Sequence, residues 1–456
     1  MFIVLIVGCS IADAQVYNRV VPPGIQPYTF KQNGTIVCGT YLTAPVTIHP
    51  TRPGFGEYVE PQVMIDKDGY VMWYGSKAYA VLNTDFKYHP KHQLFSYCAC
   101  IDSDMYVYYI LDKKLKIVDS VVNLNGVRPD VHDFLILPNG NYLLAGRLDS
   151  TVNLGEYVFN NQQNAISVRL MGFVIQEINR KHELVWQWNS NEHLNPADYI
   201  DAYGRKSELF DYCHGNSISV ANDGNYIVSF RNFDAAYKID SKTGKVLWTL
   251  GGKHSSFIFT NSVGLSGQHH VQQLPNGNII AFNNGNTLSE KQSYAIEFQL
   301  DTIEHTATRV WKSPLQKGLY AAGMGSFQKF ENGNKVVAYG QVFLPNPSVQ
   351  VFDKSDNVTT QFFFKDSVMS YRTYLVPPKM KFPRPVVKAK KAQGHVTLCA
   401  PKGYAKYMWN TGISSQNIEV TKEGTYMVWV NYNSGMLGSI PVIITKDDFY
   451  RSGDTK

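Results

Sequence analysis

Short apolar runs separated by turn residues dominate the chain, and no long stretch has the periodicity of a helix. Five runs follow an Asn-Gly or Asp-Gly pair and are rich in Val, Ile, Tyr and Phe, which favour β-strands. Because both central residues of such turns can adopt positive φ, each phrase predicts a tight β-hairpin. The five phrases are "KDGYVMWYG" (67–75), "LPNGNYLLAG" (137–146), "NDGNYIVSFRN" (222–232), "LPNGNIIAFNNG" (274–285) and "ENGNKVVAYG" (331–340).

Each turn phrase is followed by a second strand-turn-strand pattern, so each unit reads as a four-stranded antiparallel sheet. Five such units, with a divergent sixth in the first hundred residues, predict an all-β fold, a six-bladed β-propeller over residues 15–374. The second patterns occupy 108–121, 173–189, 237–252, 295–313 and 349–364.

A change of composition marks the end of the predicted propeller. The segment "LVPPKMKFPRP" (375–385) is rich in Pro and Lys and has no strand pattern, which predicts a linker. Residues 386–456 contain short alternating runs at the spacing of a β-sandwich, with Trp409 as the expected core aromatic. We therefore expect a small Ig-like domain at this end of the chain.

The N-terminus predicts export. An apolar run precedes the small-x-small pattern of Ala12 and Ala14, so residues 1–14 are expected to be a signal peptide, too short to be a transmembrane segment. The protein would then be periplasmic, secreted or at the cell surface. "IVGC" also fits a lipoprotein cleavage box, with Cys9 as the lipidated residue.

Charge and cysteine content narrow the classes of function. The net charge of +6 is small for 456 residues, and no basic patch indicates nucleic-acid binding. Five cysteines follow Cys9 without a CxxC motif, so a structural zinc site is not supported. One disulfide among the first four of these cysteines remains open, as does the oligomeric state.

Three of the turn phrases are preceded by histidine at related positions. His132 and His269 lie eight residues before their turn glycine and His214 lies ten before, whereas His270 lies seven before. Side chains alternate along an unbroken strand, so the first three histidines share one face and His270 points away. In a propeller, equivalent positions of neighbouring blades converge on the central axis. We therefore predict one site built from His132, His214 and His269.

Further residues are expected to complete this site. If the hairpin turn is centred between Asn222 and Asp223, Arg231 faces His214 across the hairpin. Carboxylates next to the histidines can fix the imidazole tautomers. These carboxylates are Asp130 and Asp133 beside His132, and Asp211 upstream of His214.

Two other interpretations of the histidines remain open. A repeat can carry a structural histidine in every blade, but the corresponding places near Pro61 and Gly325 are not histidine. Three imidazoles could also bind zinc and support metal-dependent hydrolysis. Arg231 would repel a cation, so no metal and no cofactor are expected.

The phrases "DVHDFLILPNGNYLL", "DYCHGNSISVANDGNYIVSFRN", "YKIDSKTGKVLWTLGG" and "GQHHVQQLPNGNIIAFNNGN" resemble the bacterial aryl-sulfate sulfotransferase family over roughly residues 60–370. The resemblance implies a periplasmic six-bladed propeller that moves a sulfuryl group from an aryl sulfate donor to a phenol acceptor. It also implies that His269 is the nucleophile that becomes sulfated, with His214, Arg231 and His132 as the other catalytic residues. Asn216 of the HGNS phrase and His270 are expected to support them.

Two positions depart from the family pattern. Asn283 stands where the family has an aspartate, and an arginine common shortly afterwards is absent from "NTLSEKQSYAIEF". These departures, together with the appended C-terminal domain, keep an alternative open. The alternative is a non-catalytic propeller that binds a glycan or a protein partner at the cell envelope.

Overall fold

The fold was analysed in a computed structural model that describes residues 15–34, 37–47, 61–75, 82–102, 105–155, 158–159, 162–163, 167–204, 209–365, 367–376 and 381–450. The expected signal peptide (1–14) and Cys9 lie outside these residues. Within the described residues, strands supply almost all of the secondary structure, so the chain is all-β. The same residues contain no helix that is long and apolar enough to cross a membrane.

The strands up to residue 376 build the larger part of the molecule. In chain order they are β1 (Gln15–Asn18), β2 (Tyr28–Gln32), β3 (Thr40–Thr47), β4 (Val63–Ile65), β5 (Val71–Gly75), β6 (Leu82–His89), β7 (Leu94–Asp102), β8 (Met105–Leu111), β9 (Ile117–Val121), β10 (Arg128–Ile136), β11 (Tyr142–Val152), β12 (Val158–Phe159), β13 (Gln162–Gln163), β14 (Val168–Ile178), β15 (Leu184–Asn189), β16 (Leu209–Phe210), β17 (Gly215–Val220), β18 (Tyr226–Phe230), β19 (Ala235–Ile239), β20 (Val246–Gly251), β21 (Ile258–Phe259), β22 (His269–Gln273), β23 (Ile279–Asn283), β24 (Tyr294–Asp301), β25 (Thr306–Lys312), β26 (Ser326–Lys329), β27 (Lys335–Ala338), β28 (Val349–Phe352), β29 (Val358–Phe364) and β30 (Val368–Val376).

The strands after residue 386 are shorter. They are β31 (Lys388–Ala392), β32 (His395–Cys399), β33 (Tyr407–Trp409), β34 (Asn417–Val420), β35 (Gly424–Tyr426), β36 (Val428–Tyr432), β37 (Gly435–Gly438) and β38 (Val442–Ile444). The described helical segments are single turns, namely α1 (Ser190–His193) and the 3₁₀ turns Pro196–Asp198, Asp201–Tyr203, Arg231–Phe233 and Lys446–Phe449.

Six sheets of the described chain, which we number I to VI, carry the propeller-like part. In order from the inner strand they are I (β6-β7-β8-β9), II (β10-β11-β14-β15), III (β17-β18-β19-β20), IV (β22-β23-β24-β25), V (β26-β27-β28-β29-β2-β1) and VI (β30-β3-β4-β5). Each inner strand contacts the inner strands of both neighbouring sheets, and β30 of sheet VI contacts β6 of sheet I. The six inner strands therefore surround a common space, called here the central channel.

The apolar core lies between the sheets. Each neighbouring pair of sheets shares one buried cluster, including the pair VI and I that closes the ring. Between sheets II and III, for example, Phe173 packs edge-on against Phe230 with ring centroids 5.9 Å apart. Face-to-face packing of aromatic and aliphatic side chains removes large apolar areas from water, the main force that holds such sheets together. The inner strands are thereby fixed around the channel.

The turn chemistry differs from the sequence expectation in one respect. Gly140, Gly224 and Gly277 have φ of 90°, 83° and 90°, but the Asn or Asp before each does not have positive φ. The amide of Gly140 donates to the carbonyl of Leu137 at 2.8 Å, as in a type I turn followed by a left-handed glycine. The expectation of two central residues at positive φ was wrong, while the expectation of hairpins is confirmed.

The assignment of strands to units was correct for four units and wrong for the first. The phrase 67–75 belongs to sheet VI, whereas the pattern 108–121, which was grouped with it, belongs to sheet I. Sheet VI joins the two ends of the propeller-like part, since β3 near the N-terminus pairs with β30. Strand β30 continues to Val376, into the segment that the sequence assigned to a linker.

The C-terminal strands are attached to sheet VI by hydrogen bonds. Strand β37 pairs with the outer strand β5, and the indole of Trp429 donates to the carbonyl of Val71 at 2.9 Å. Arg384 binds Asp66 with Nη1 2.6 Å from Oδ2. A separate apolar cluster surrounds Trp409, which is fully buried as expected. This docking covers an edge that would otherwise expose unpaired backbone groups.

The buried cysteines carry thiols rather than a disulfide. Cys98 and Cys213 are both free and both buried in this structure. Burial raises the pKa of each thiol, which keeps it protonated. These two residues therefore do not contribute to the disulfide that the sequence left open.

Candidate active site

The three histidines singled out by the repeat meet at the amino ends of the inner strands. His132 lies in β10, His214 immediately precedes β17, and His269 is the first residue of β22. The ring centroids of His132 and His214 are 5.0 Å apart, and those of His132 and His269 are 6.4 Å apart. Three neighbouring sheets thus contribute one imidazole each to a single cluster at this end of the central channel.

The convergence does not arise from unbroken strands, which the sequence argument assumed. The pairing register shifts between Pro129 and Phe134, between Gly215 and Ser217, and between His269 and Gln272. A bulge inserts extra residues into one strand and re-aims the side chains around it. The assumption was therefore wrong, although the three rings come together as expected.

The same bulge separates the adjacent histidines of sheet IV. His270 has φ of 54°, in the left-handed region, and its ring lies 5.5 Å from that of Tyr374. Its Nδ1 accepts a hydrogen bond from the amide of Phe327 at 3.3 Å. His270 therefore faces the other end of the channel, whereas His269 belongs to the histidine cluster.

His269 is set up as a neutral base. Its ring is only 3% exposed, and Nδ1 lies 2.7 Å from the carbonyl oxygen of Gly325. Because a carbonyl can only accept, Nδ1 carries the proton and Nε2 keeps its lone pair. Burial, followed by the nearby charge of Arg372, holds the pKa of His269 well below its ordinary value. The ring is therefore unprotonated, as a nucleophile must be.

His132 is paired with a buried carboxylate. Its Nδ1 is hydrogen-bonded to Oδ1 of Asp130, which also accepts the backbone amide of His132 at 2.9 Å. Arg147 forms an ion pair with the other carboxylate oxygen at 3.2 Å. Burial alone would raise the pKa of Asp130, but the charge of His132, its hydrogen bond and Arg147 lower it to about 2. The carboxylate stays ionised and directs Nε2 of His132 away from itself.

His214 repeats this arrangement in the next sheet. Its Nδ1 is hydrogen-bonded to Oδ2 of Asp211, and its backbone amide donates to Oδ1 of the same carboxylate at 3.1 Å. Against the effect of burial, the charge of His214 and this hydrogen bond lower the pKa of Asp211. The side chains of His214 and His132 are 30% and 18% exposed, so both can meet a molecule arriving from solvent.

Asp133, which was expected beside His132, has a different set of partners. Its carboxylate accepts from Nζ of Lys87 at 2.5 Å and from the amide of Ile218 at 3.0 Å. It also forms an ion pair with Arg372 at 3.3 Å. Of the two aspartates that flank His132, Asp130 is the one that binds the ring, because the bulge at 130–133 turns the two carboxylates to different partners.

Arg231 stands beside His214 as predicted, but the assumed centre of the turn was wrong. The pairing of Val220 with Tyr226 centres the turn on Asp223, and the register shift between Gly215 and Ser217 restores the predicted facing. Gly215 pairs with Phe230, and the amide of Arg231 donates to the carbonyl of His214 at 3.0 Å. The guanidinium lies over the ring of Tyr203, 4.7 Å from its centroid, and Nη2 donates to the carbonyl of Ala322 at 3.4 Å. The guanidinium is half-buried, and the backbone of Arg231 adjoins that of His214.

Asn216 supports the backbone next to His269. Its side-chain amide donates to the carbonyl of Gln268 at 2.7 Å, and Asn216 is fully buried. Gln268 is held in turn by the carbonyl of Ala235 at 2.9 Å. This chain of hydrogen bonds connects sheet III to sheet IV directly before His269.

Two residues of the site were missed in the sequence. The hydroxyl of Tyr371 donates to the carbonyl of His132 at 2.9 Å, and its ring centroid lies 5.3 Å from that of His269. Arg372 is fully buried, donates to the carbonyl of Asn216 at 2.7 Å and forms an ion pair with Asp85 at 3.1 Å. Both lie in β30, which carries none of the turn phrases. Only the pairing of β30 with β3 indicates that this strand lines the channel.

Asn283, which stands where the family has an aspartate, has a structural role in this chain. Asn283 is fully buried in β23, and its Oδ1 accepts the amide of Ser266 at 2.7 Å. An aspartate would offer the same acceptor, so the amide preserves this contact. Within the described residues, no group of His, Cys, Asp and Glu could hold a metal ion.

The histidine cluster and the surrounding sheets define an all-β protein with a site suited to group transfer. Residues 54–372 match the profile of the arylsulfotransferase (ASST) family, and the chain belongs to that family. The resemblance inferred from the sequence is confirmed. Membership implies a sulfotransferase-type enzyme that acts on small-molecule substrates.

Comparisons with solved structures gave distant likenesses. A protein of unknown function from Bacteroides caccae is 13% identical with a TM-score of 0.46, covering 75% of this chain and 99% of its own. A catalytically inactive virginiamycin B lyase from Staphylococcus aureus is 8% identical with a TM-score of 0.39, covering 82% and 96%. TolB from Acinetobacter baumannii is 9% identical with a TM-score of 0.38, covering 75% and 68%. A search of curated proteins gave no match.

Proposed function

We propose that the protein transfers a sulfuryl group from a phenolic sulfate ester to a phenol acceptor through a sulfohistidine at His269. The reaction needs no nucleotide donor and no other cofactor. The observation that carries the proposal is the state of His269, a buried neutral ring whose Nδ1–H is held by Gly325. Nε2 is thereby left as the attacking atom, next to His132.

In the first half-reaction, Nε2 of His269 attacks the sulfur of the ester. The S–N bond forms while the S–O bond to the phenol breaks, and the departing phenolate takes a proton from His132. Asp130 is hydrogen-bonded to Nδ1 of His132, which leaves Nε2 as the ring nitrogen that donates this proton. The products are sulfated His269, neutral His132 and a free phenol.

In the second half-reaction, an acceptor phenol replaces the product. His132 takes the hydroxyl proton, the phenol oxygen attacks sulfur, and the S–N bond breaks to restore neutral His269. Negative charge on the three sulfuryl oxygens needs fixed positive partners in the transition state. Arg231 and protonated His214, held by Asp211, are suited to this role.

We further propose a six-bladed propeller over residues 15–374 and an Ig-like sandwich over 386–456, joined by the predicted linker 375–385, whose first two residues complete β30. The shared apolar clusters that run around all six sheets support the propeller. The buried Trp409 within its own cluster supports a separate C-terminal core. Residues 1–14 would direct export to the periplasm or the cell surface, with lipidation at Cys9 as the alternative.

The test is release of p-nitrophenol from its sulfate ester with and without a phenol acceptor. A transferase releases product in steady state only when the acceptor is present, and mass spectrometry should find the sulfuryl group on the His269 peptide. The matched control for His269→Ala is His254→Ala, because the side chain of His254 is 75% exposed and pairs with Asp198 instead of the histidine cluster. Absence of release under all conditions would instead favour a non-catalytic binding propeller.

A further inference from the structure

A second cavity opens at the carboxyl ends of the inner strands, opposite the histidine cluster. Its volume is about 1190 Å³, and all six inner strands contribute to its lining. Strand β10, for example, contributes Leu135 and Ile136, which follow His132 in the same strand. His132, His214 and His269 do not line this cavity. His270, which faces this end of the channel, does. The cavity is therefore distinct from the candidate active site.

The charged side chains around this cavity are nearly all positive. Lysines from three different parts of the chain line it, whereas Asp133 is the acidic residue among its lining residues. The lysines are Lys87, Lys91, Lys113, Lys114 and Lys381. Four of them, all except the buried Lys87, are exposed at the mouth. A concave surface lined by one sign of charge concentrates the field and attracts ions of the opposite sign.

The carboxylate of Asp133 does not offset this charge. It is already paired with Lys87 at 2.5 Å and with Arg372 at 3.3 Å. Asp85 pairs with the same two cations, at 2.6 and 3.1 Å. Two buried cations and two buried anions thus neutralise one another at the floor. At the mouth, the four lysines outnumber Asp112, whose carboxylate accepts the backbone amides of Lys114 and Lys116 in the same turn.

The walls between the lysines suit a ring-bearing ligand. Tyr88, Phe330, Tyr374 and Tyr432 line the cavity together with the amides of Gln272 and Gln328. Aromatic side chains provide flat apolar contacts, and amides provide directional hydrogen bonds. The volume exceeds the usual range for small-molecule sites, so a single inorganic anion would leave most of it empty.

We propose that this cavity is a second binding site, for an organic molecule that bears a ring and several sulfate or phosphate ester groups. The lysines at the mouth would hold the anionic esters, and the tyrosines and Phe330 would contact the ring. The inference is independent of the sulfuryl transfer proposed for the histidine cluster, because the two groups of residues lie at opposite ends of the channel.

Isothermal titration calorimetry on the whole chain tests the proposal with two probes and one control that carries no sulfate or phosphate ester. The probes are a trisulfated heparin disaccharide and inositol hexakisphosphate, and the control is the unsulfated disaccharide. We expect at least one probe to bind with a dissociation constant in the micromolar range, more weakly as salt rises, and the control not to bind. The preferred probe distinguishes a sulfated from a phosphorylated ligand.

Matched lysine variants locate the binding. K113A/K114A/K381A removes three exposed charges and should weaken binding about tenfold, since exposed charge pairs contribute modestly each. K242A/K245A changes the corresponding turn between β19 and β20, whose lysines are also exposed, and should have no effect. Failure of both probes to bind, or equal loss in the two variants, would overturn the proposal.

A third variant separates this site from the histidine cluster. In R231A the affinity for the probe should be unchanged, because Arg231 lies at the other end of the channel beside His214. Loss of binding in R231A would assign the probe to the candidate active site and overturn the proposal. Since binding is measured directly, the result does not depend on whether sulfuryl transfer takes place.

Discussion

At the amino ends of the inner strands, His132 and His214 are each hydrogen-bonded to a carboxylate, whereas His269 is held by a carbonyl. At the carboxyl ends, His270 lies beside Tyr374, with lysines at the mouth of the cavity. Imidazole is the same group in every case. Its partner decides whether the ring is stabilised as a cation, kept neutral for attack, or used as a packed polar residue.

The difference between His269 and His270 depends on one backbone feature. They are consecutive, yet the bulge that begins at His269 and the left-handed φ of His270 send the two rings toward opposite ends of the channel. A bulge supplies this divergence at the cost of one irregular residue. One extra residue in an inner strand can therefore place two consecutive side chains at opposite ends of the channel.

The largest expected effect separates these two histidines. His269→Ala removes the proposed nucleophile and should lower sulfuryl transfer about 10³-fold or more, because the ring that would carry the sulfuryl group is gone. His270→Asn should lower transfer less than about tenfold, since that ring faces the other end. The measurement is steady-state p-nitrophenol release, with circular dichroism to verify folding. Equal losses in the two variants would contradict the division between the ends.

The next effect concerns the ion pairs between the two ends. Arg372→Met leaves Asp85 and Asp133 with Lys87 as their remaining cation, and removing one member of a buried network costs about 3–5 kcal/mol. Lys67→Met breaks an exposed pair with Asp68 and should cost less than about 1 kcal/mol. The free energy of unfolding in urea measures both. A small loss in Arg372→Met would mean that the buried network does not hold the channel together.

The sequence was sufficient for the repeated hairpins, because they depend on local patterns. Spacing also singled out the three histidines, although bulges rather than unbroken strands bring their rings together. Four of the five turn phrases belong to the same sheet as the strand pattern that follows them. The facing of Arg231 and His214 was predicted from the length of one hairpin, but it also depends on the register shift between Gly215 and Ser217. Local geometry can be read from spacing when the turn fixes the register.

The remaining features depend on contacts between distant parts of the chain. Tyr371 and Arg372 reach the site because β30 pairs with β3, a contact that no local sequence pattern predicts. His132 is hydrogen-bonded to Asp130 rather than to Asp133 because of a bulge in β10. The spacing of residues in the sequence does not predict where such a bulge occurs. The same applies to the second cavity, whose lysines come from separate turns and from the segment after β30.

A smaller effect is expected when the carboxylate behind His132 loses its charge. Asp130→Asn preserves the shape of the side chain but replaces the carboxylate bound to Nδ1 of His132 by a neutral amide, so the rate of transfer should fall about 10²-fold. The pH profile of transfer should change as well, because a charged partner of the proposed proton donor has been removed. Asp149→Asn is a suitable control, since Asp149 pairs with Arg128 away from the histidines. An unchanged rate and profile would remove His132 from the proton transfer.

The smallest effect is on stability in acid, and the same variant measures it. The pKa of Asp130 is about 2 in the folded chain and about 3.9 when unfolded, so its ionised form contributes stability above pH 4. That contribution, about 2 kcal/mol, is lost as the pH falls through the interval from 4 to 2. Urea unfolding at pH 6 and pH 3 should therefore reveal a larger loss for the unaltered chain than for Asp130→Asn. Equal losses would mean that the partners of Asp130 do not lower its pKa on folding. The hydrogen bond between Asp130 and His132 would then not stabilise the end of the channel that holds the histidine cluster.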